Sequence, residues 1–287
     1  MPDFLTSWRA LIILLKPRIA LSVTLEAIVA MLLARRQMAE IRELFLLSVV
    51  LFLSSSGAAL ANNLLDEKWD LAMKRTSQRA EAIRLWGKEY LWFLAVLLIL
   101  ASLAAAWFFF HWLVAVLILG AALSYVLWYT LRLKRRSPFG AILGGLPGAL
   151  PVLIGGYAVS MRFAVDIWLF FLFMMFWQPA HFWALALYLK DDYALARLPV
   201  MPVVYGEQYT KYFIYMYGAS LIPITFMMGY WGGYSLTYFV FALLGGTYYL
   251  VQTVRFTYHK QEYKKAFVVS LVYLMWMFLS LFLEVFL

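Results

Sequence analysis

Nine long apolar runs constrain what this chain can fold into more than any other feature of its sequence. A helix needs about 20 apolar residues to cross about 30 Å of bilayer hydrocarbon. Because 65% of the 287 residues are hydrophobic and only 14% are charged, the chain has more apolar surface than a soluble domain of this size buries. The runs lie roughly at 13–34, 43–62, 90–110, 112–131, 140–160, 165–189, 211–230, 233–254 and 266–286. We therefore predict an all-α integral membrane protein with nine transmembrane helices, the first retained rather than cleaved as a signal peptide.

The basic residues are distributed very unevenly between the segments that connect these runs. With the N-terminus in the cytoplasm, twenty of the 24 Lys and Arg residues fall on the inner side, and only Arg35, Arg36, Arg42 and Arg162 fall outside. Cytoplasmic segments of membrane proteins are enriched in Lys and Arg, so this asymmetry predicts a cytoplasmic N-terminus and an external C-terminus in a bacterial or archaeal cell membrane. It also explains the net charge of +9 without a nucleic-acid partner.

A polar motif directly follows the second run. Asn62, Asp66 and Asp70 are spaced by four residues, which on a helix corresponds to a turn of about 400° and a rise of about 6 Å, so their side chains share one face. Such a face of oxygen ligands suits a hard cation such as Mg²⁺. Arg75 and Arg79 continue the spacing with positive charge, and carboxylates, a divalent cation and arginines together suit a diphosphate. The alternative is a solvated cytoplasmic loop whose charges only mark topology.

A second acidic pair, Asp191 and Asp192, follows the sixth run, four runs after the first motif. This spacing indicates an internal repeat of two four-helix halves plus a ninth helix around a central cavity. The predicted domain is the whole of residues 1–287, divided at about 1–135, 136–256 and 257–287. Transporters with parallel repeats usually carry ionisable residues near mid-bilayer, whereas Glu26 is the chief charged residue inside these runs.

Five strings in residues 11–206 resemble motifs of the UbiA-type intramembrane prenyltransferases, and within that superfamily they are most similar to the heme O synthase branch. The box around His181 is the most specific of them. The strings are Lys16-Pro17-Arg18-Ile19, Asn62 to Arg79, Tyr129 to Pro138, Trp177 to Ala186, and Asp191 to Gly206. The sequence departs from the family pattern at Ala80, Ala180, Arg197 and Tyr188, and Tyr188 occupies the position of an aspartate in the second acidic motif.

The resemblance implies a site for a prenyl diphosphate at the inner membrane surface. Cations there stabilise the negative charge that develops on the leaving diphosphate, and a dry aromatic interior protects the allylic cation. The implied catalytic residues are Asn62, Asp66, Asp70 and Asp192, and the implied metal ligands are Asn62, Asp66, Asp70, Asp191 and Asp192. The implied diphosphate ligands are Lys16, Arg18, Arg75, Arg79, Lys134, Arg135 and Lys190.

The resemblance also implies the substrates. Farnesyl diphosphate is the donor and heme b is the acceptor, a substrate rather than a permanent cofactor, with Mg²⁺ or alternatively Mn²⁺ as the metal. His181, Trp177 and Trp183 are the expected heme contacts, since His181 lies eleven residues before Asp192, about three turns or 16 Å along a helix. The lipid bilayer is a further partner, and a downstream heme A synthase or terminal oxidase assembly would use the product.

Two alternatives remain open at this stage. The first is the same fold acting on a quinone precursor or a lipid acceptor, and the histidine box argues against it. The second is a non-enzymatic carrier of heme or lipid. The paired acidic and basic clusters argue against a carrier, because it needs no ligands for a metal or a diphosphate.

Overall fold

The computed structural model describes residues 4–73 and 76–287, with side chains from residue 8 onward. These residues form helices and no strands, which confirms the predicted all-α class. The helices are α1 (Phe4–Leu15), α2 (Pro17–Arg35), α3 (Ile41–Asp70), α4 (Ser77–Trp86), α5 (Lys88–Phe109), α6 (Trp112–Leu123), α7 (Lys134–Arg136), α8 (Gly140–Leu143), α9 (Leu146–Val159), α10 (Val165–Tyr188), α11 (Lys190–Leu195), α12 (Met201–Val204), α13 (Gly206–Gly232), α14 (Leu236–Val254) and α15 (Tyr263–Glu284).

Eight helical stretches in the described part of the chain are long and apolar enough to cross a bilayer, so the protein is an integral membrane protein. They are α2, α3, α5, α6 with its extension to Arg136, Gly140–Val159, α10, α13 and α15. The predicted run at 233–254 forms α14, a helix of 19 residues that is not among the eight. The count of nine spans therefore stays a prediction.

The first predicted run is divided between two helices. A single helix over 13–34 was expected, whereas α1 ends at Leu15 and α2 begins at Pro17. Proline lacks an amide hydrogen and is favoured at the first position of a helix, so it starts α2 at the point where α1 stops. The separate helix α1 buries Leu11 and Leu14 in a cluster with Ala82 and Ile83 of α4.

The second predicted run is shorter than the helix that contains it. It was expected to end at residue 62, but α3 continues without a break to Asp70, so the whole acidic motif lies on its last turns. The helix that crosses the membrane thereby carries the polar residues rigidly, which a loop would not do.

The C-terminal ends of the fourth and eighth runs share an unusual backbone. Residues Ser124–Leu133 after α6 and Arg255–His259 after α14 form π-helical turns, which are wider than α-helical ones and often occur at functional sites. The first of these segments leads directly into the basic helix α7.

The interior is filled differently on the two sides of the bundle. Among α10, α13, α14 and α15 the core is aromatic, with Phe170, Phe173, Trp183, Tyr249 and Tyr273 almost completely buried. Small residues instead line the space among α2, α3, α6 and α9, where they leave a cavity. The small lining residues are Ser54, Ser55, Ala58, Ala59, Ala121, Ala122, Gly144 and Gly148.

The close packing of α2 against α9 depends on a glycine. The carbonyl oxygen of Ala27 lies 1.9 Å from the position that a Cβ on Gly155 would occupy, so only glycine permits the two backbones to approach this closely.

Candidate active site

The acidic motif lies on a buried face of α3. Asn62, Asp66 and Asp70 are only 4%, 2% and 1% exposed. The amide of Asn62 donates a hydrogen bond of 2.9 Å from Nδ2 to Oδ2 of Asp66, so these two side chains lie on the same face, as their spacing predicted. The alternative of a solvated loop is wrong, because these residues are helical and buried. Buried carboxylates need partners that compensate their charge.

Asp66 receives its partners from α7, at the end of the fourth run. Lys134 donates from Nζ to Oδ2 of Asp66 at 2.5 Å, and Nη2 of Arg135 lies 3.4 Å from Oδ1. Arg135 also donates to the carbonyl oxygen of Leu65 at 2.9 Å, and its guanidinium lies 3.8 Å from the ring centre of Trp69. Three contacts with α3 therefore hold this guanidinium in place.

Asp70 receives its partner from α4. Nη1 of Arg79 lies 3.4 Å from Oδ2 of Asp70, and the hydroxyl of Thr76 donates to the Asp70 carbonyl at 3.2 Å. The turn after α3 thus brings the second predicted arginine back onto the acidic face. The other predicted arginine, Arg75, lies outside the described residues.

Lys16 enters the same cluster from the turn between α1 and α2. Its Nζ donates to Oδ1 of Asn62 at 2.6 Å. Burial, followed by the nearby positive charges of Arg79 and Lys134, lowers the pKa of Lys16 to about 7 against the opposite effect of the two aspartates. Through Asn62 and Asp66, Lys16 belongs to the same hydrogen-bonded cluster as Lys134. Arg18 is exposed, and the described residues give it no hydrogen-bond or ion-pair partner.

Thr130 fixes the orientation of the Asn62 amide. Its hydroxyl accepts a hydrogen bond from Nδ2 of Asn62 at 3.0 Å and donates to the carbonyl of Tyr125 at 2.8 Å. Since both Nδ2 hydrogens are directed at Asp66 and Thr130, the amide oxygen faces Lys16. The π-helical segment thus contributes to the site through Thr130 as well as through the bases that follow it.

The second acidic segment lies beside the first but contributes less. Met73, which follows α3, shares an apolar cluster with Tyr193 and Leu198, so the two segments touch. Asp191 is exposed and Asp192 is half-buried. Lys190 does not join the cluster of bases at Asp66, because its Nζ donates to Oε1 of Glu207 at 3.1 Å.

The predicted acceptor residues pack among aromatic side chains. The ring of His181 stacks on Trp177 with centroids 4.4 Å apart, lies 4.5 Å from Phe267 on its other side, and makes a hydrogen bond of 2.6 Å from Nδ1 to the Ser270 hydroxyl. Trp177 donates to the carbonyl of Ser270 at 2.9 Å. These contacts direct the two rings towards α15.

Trp183 is also packed away from solvent. It is fully buried, with its ring edge-on to Phe213 and Tyr217 of α13. The role of Trp183, Trp177 and His181 in binding an acceptor stays a prediction.

An apolar cavity of about 240 Å³ extends from this cluster into the membrane region. Lys16 and Tyr125 line its polar end, and Pro151 and Ile154 line its apolar wall. Gln178, from the histidine box, also lines it, whereas His181 does not. The arrangement is a charged mouth on a narrow apolar chamber, which fits a molecule with an anionic head and a long apolar tail.

Sequence reasoning missed several residues of this site. Asn63, Trp69, Tyr125, Thr130 and Gln178 were not predicted, although four of them lie within the strings quoted above. Their proximity to predicted residues was the only signal available. Their contacts depend on which helices meet, and that could not be derived from spacing along one helix.

The donor set fits a hard divalent cation only in part. In residues 4–73 and 76–287, no three acidic or histidine side chains come close enough to hold a metal ion by themselves. Asp66 and Asp70 nevertheless lie on the same helix face as Asn62, whose side chain binds Lys16 at the edge of the cavity, and Mg²⁺ is usually held by one or two carboxylates together with substrate phosphates.

Comparison with known proteins identifies the family. Residues 23–282 match the sequence model of the UbiA prenyltransferase family. The protoheme IX farnesyltransferase of Geotalea uraniireducens (strain Rf4) is 38% identical over 245 residues, which cover 85% of this chain and 95% of that protein. The protoheme IX farnesyltransferase of Nitrosococcus oceani is 33% identical over 287 residues, which cover 98% of this chain and 94% of that protein.

Solved structures show the same fold at much lower identity. A structure described as that of digeranylgeranylglyceryl phosphate synthase in membranes superposes with a TM-score of 0.78 at 14% identity, covering 98% of this chain and 99% of its own. A UbiA homolog from Archaeoglobus fulgidus, bound to GPP and Mg²⁺, superposes with a TM-score of 0.70 at 13% identity, covering 95% of this chain and 99% of its own. On the family match and these full-length relatives, the chain belongs to the UbiA prenyltransferase family.

Proposed function

We propose that this protein transfers the farnesyl group of farnesyl diphosphate to a vinyl group of heme b, giving heme O. The observation that carries the proposal is the cluster of buried acids and bases that Lys16 and Asn62 connect to an apolar cavity. The choice of donor and acceptor is supported by the relatives from Geotalea uraniireducens and Nitrosococcus oceani, both named protoheme IX farnesyltransferase.

The acidic face would hold the metal. Asp66, Asp70 and Asn62 offer oxygen atoms, and Mg²⁺ prefers such ligands, with Mn²⁺ as an alternative. The bound cation would supply charge stabilisation for the leaving diphosphate. Asp191 and Asp192 are proposed as further ligands. The Archaeoglobus fulgidus homolog bound to GPP and Mg²⁺ supports a diphosphate with a divalent cation in this fold.

The bases would bind the diphosphate head. In the described structure Lys134, Arg135 and Arg79 neutralise the two aspartates, and Lys16 is held by Asn62. With a metal on the aspartates, these cations would be available for charge-assisted hydrogen bonds with phosphate oxygens. They then stabilise the negative charge that develops as the allylic C–O bond breaks. Arg75, Arg18 and Lys190 are proposed to assist at the edge of the site.

The cavity would hold the prenyl chain and keep water away. Its walls are mostly apolar, so burial of the tail is favourable. Exclusion of water protects the allylic cation until the vinyl carbon of the acceptor attacks it. The carbon that becomes cationic on the former vinyl group then takes up the oxygen of a water molecule, and loss of one proton gives the hydroxyl group of the product.

His181, with Trp177 and Trp183, is proposed to contact the heme. Imidazole is a common axial ligand of heme iron, and aromatic rings suit the faces of a porphyrin. The Ser270 hydroxyl engages Nδ1 of His181, so Nε2 is the nitrogen that would ligate the iron.

The site would face the cytoplasm. The asymmetry of basic residues supports a cytoplasmic N-terminus and an external C-terminus. Heme O released into the bilayer would then be available to a downstream heme A synthase or to the assembly of a terminal oxidase.

The test is a reaction of purified protein with farnesyl diphosphate, Mg²⁺ and heme b, followed by mass analysis of the heme. The expected product carries one farnesyl group and one added hydroxyl group. A farnesylated quinone precursor, formed in a parallel reaction when heme is left unchanged, would assign the other acceptor class. Failure to release diphosphate with any acceptor would favour a carrier and contradict an enzyme.

A further inference from the structure

The turn between α1 and α2 holds Lys16 in a backbone conformation that residues with a side chain seldom adopt. Its φ of 51° and ψ of 54° are left-handed. This region is sterically unfavourable for L-residues, and a residue that precedes proline is further restricted towards extended backbone. Such a conformation persists only when surrounding contacts hold it. The contacts of this turn therefore decide where the Lys16 side chain lies.

One of these contacts comes from Asn63. Because α1 ends at Leu15, the carbonyl of Leu14 has no amide partner within its own helix. Nδ2 of Asn63 donates to this carbonyl at 2.7 Å, and both residues are completely buried. A buried carbonyl without a donor is costly, so the amide of Asn63 stabilises the helix end in this position.

Two adjacent residues of α3 thus hold the turn at two points. Asn63 binds its backbone through Leu14, and Asn62 binds its side chain through Nζ of Lys16 at 2.6 Å. Asn63 itself does not line the cavity, so its effect on a ligand has to pass through the turn.

We propose that Asn63 is a positioning residue for the diphosphate head group. Asn63 does not line the cavity. Its hydrogen bond to the Leu14 carbonyl fixes the turn, and the turn directs the Lys16 ammonium towards the acidic face. This inference rests on the proposed function, since it requires Lys16 to bind the diphosphate. It predicts that the effect of Asn63 on ligand affinity depends on the presence of Lys16.

A double-mutant cycle tests this dependence. The full-length protein is purified with Asn63→Ala, with Lys16→Met, and with both changes, and the Kd for farnesyl diphosphate in the presence of Mg²⁺ is measured together with the melting temperature. Each single change is expected to weaken binding about tenfold, and the double variant is expected to bind no more weakly than Lys16→Met alone. Full additivity of the two effects overturns the proposal.

Ser102→Ala is the matched control. Ser102 is also completely buried and donates from its hydroxyl to the carbonyl of Val50 at 2.8 Å, linking α5 to α3 away from the cavity. Its removal is expected to lower the melting temperature and leave the Kd unchanged. If Ser102→Ala and Asn63→Ala weaken binding equally, the effect of Asn63 is one of general stability and the proposal fails.

The remaining outcomes are also decisive. If Asn63→Ala does not fold, Asn63→Ser, which keeps a hydrogen-bond donor on a smaller side chain, enters the same cycle with the same expected coupling. If the wild-type protein binds no farnesyl diphosphate, the proposed function fails and this inference fails with it. If the wild type binds and the cycle is additive, only the role of Asn63 is overturned.

Discussion

Lys134 and Asp66 are separated by 68 positions in the sequence, yet Nζ of Lys134 lies 2.5 Å from Oδ2 of Asp66. Asp66 lies on the last turns of α3, and Lys134 follows the π-helical segment after α6. The pair is largely buried, with side-chain exposures of 3% for Asp66 and 19% for Lys134. A buried carboxylate paired with a base is costly to form from solvated ions, and the proposed function gives this pair a role in binding the metal and the diphosphate.

The first prediction concerns the two aspartates. We expect Asp66→Asn and Asp70→Asn each to lower turnover by about 100-fold or more, because each change removes a charged oxygen from the metal face. Asparagine keeps the shape of the side chain and leaves hydrogen-bond acceptors for Lys134 and Arg79. Steady-state turnover is compared with the melting temperature as a control for folding. Near-normal turnover of both variants would contradict the assignment of a metal site.

The second prediction concerns the metal itself. Activity is expected to disappear with excess chelator and to return when Mg²⁺ or Mn²⁺ is added. The reason is a ligand set made of oxygen atoms in a chain without cysteine, which suits hard cations. The release of diphosphate is followed before and after chelation. Undiminished release in the presence of excess chelator would mean that the carboxylates serve another purpose.

The third prediction concerns topology. Reporter domains fused to the two ends are expected to lie on opposite sides of the membrane, with the N-terminus in the cytoplasm. The asymmetry of Lys and Arg requires an odd number of spans, so Leu236–Val254 has to cross the bilayer with the other eight. If both reporters are found on the same side, α14 does not span and the count is even.

The fourth prediction concerns His181. His181→Phe keeps an aromatic ring between Trp177 and Phe267 but removes the nitrogen atoms, so stability is expected to change little. If the imidazole contacts the heme, the turnover of heme falls about tenfold or more, while the Kd for farnesyl diphosphate stays at the wild-type value. Titrations of the two substrates separate these effects. Wild-type turnover in this variant would remove His181 from the site.

The fifth prediction concerns the length of the prenyl chain. Ala58 lines the cavity, and Ala58→Phe is expected to fill the space that the tail occupies. We expect kcat/KM for farnesyl diphosphate to fall more than that for the shorter geranyl diphosphate, at a stability cost of about 1–3 kcal/mol. Ala104→Phe, on the exposed surface of α5, is the control with the same change of side chain. Equal loss for both donors would place the tail elsewhere.

Local periodicity was sufficient for several features. The hydrophobic runs predicted the helical class and most of the long helices, since a chain in hydrocarbon has to satisfy its backbone hydrogen bonds internally. The spacing of Asn62, Asp66 and Asp70 predicted that their side chains share one face, because positions four residues apart are related by a single helix. The run at 13–34 was misjudged, since hydrophobicity continues across a break that Pro17 and the left-handed Lys16 impose.

The sequence motifs also predicted basic residues of the site, but not which acidic residue each of them would contact. Lys134, Arg135 and Arg79 reach the acidic face, whereas Lys190 pairs with Glu207. Every one of these residues carries the same charge on a segment at the same membrane surface. Only the packing of α4, α7 and α11 against their neighbours separates them.

Composition and short-range spacing were enough to predict a helical membrane protein with an acidic face suited to a cation. These properties depend on the residue types present and on contacts between residues a few positions apart. The tertiary structure decided which bases meet those acids, that Asn63 and Thr130 orient Lys16 and Asn62, and that small residues leave a cavity beside an aromatic core. These relations join residues tens of positions apart. They follow from how side chains of different size fill the space between helices, which no repeat along a single helix encodes.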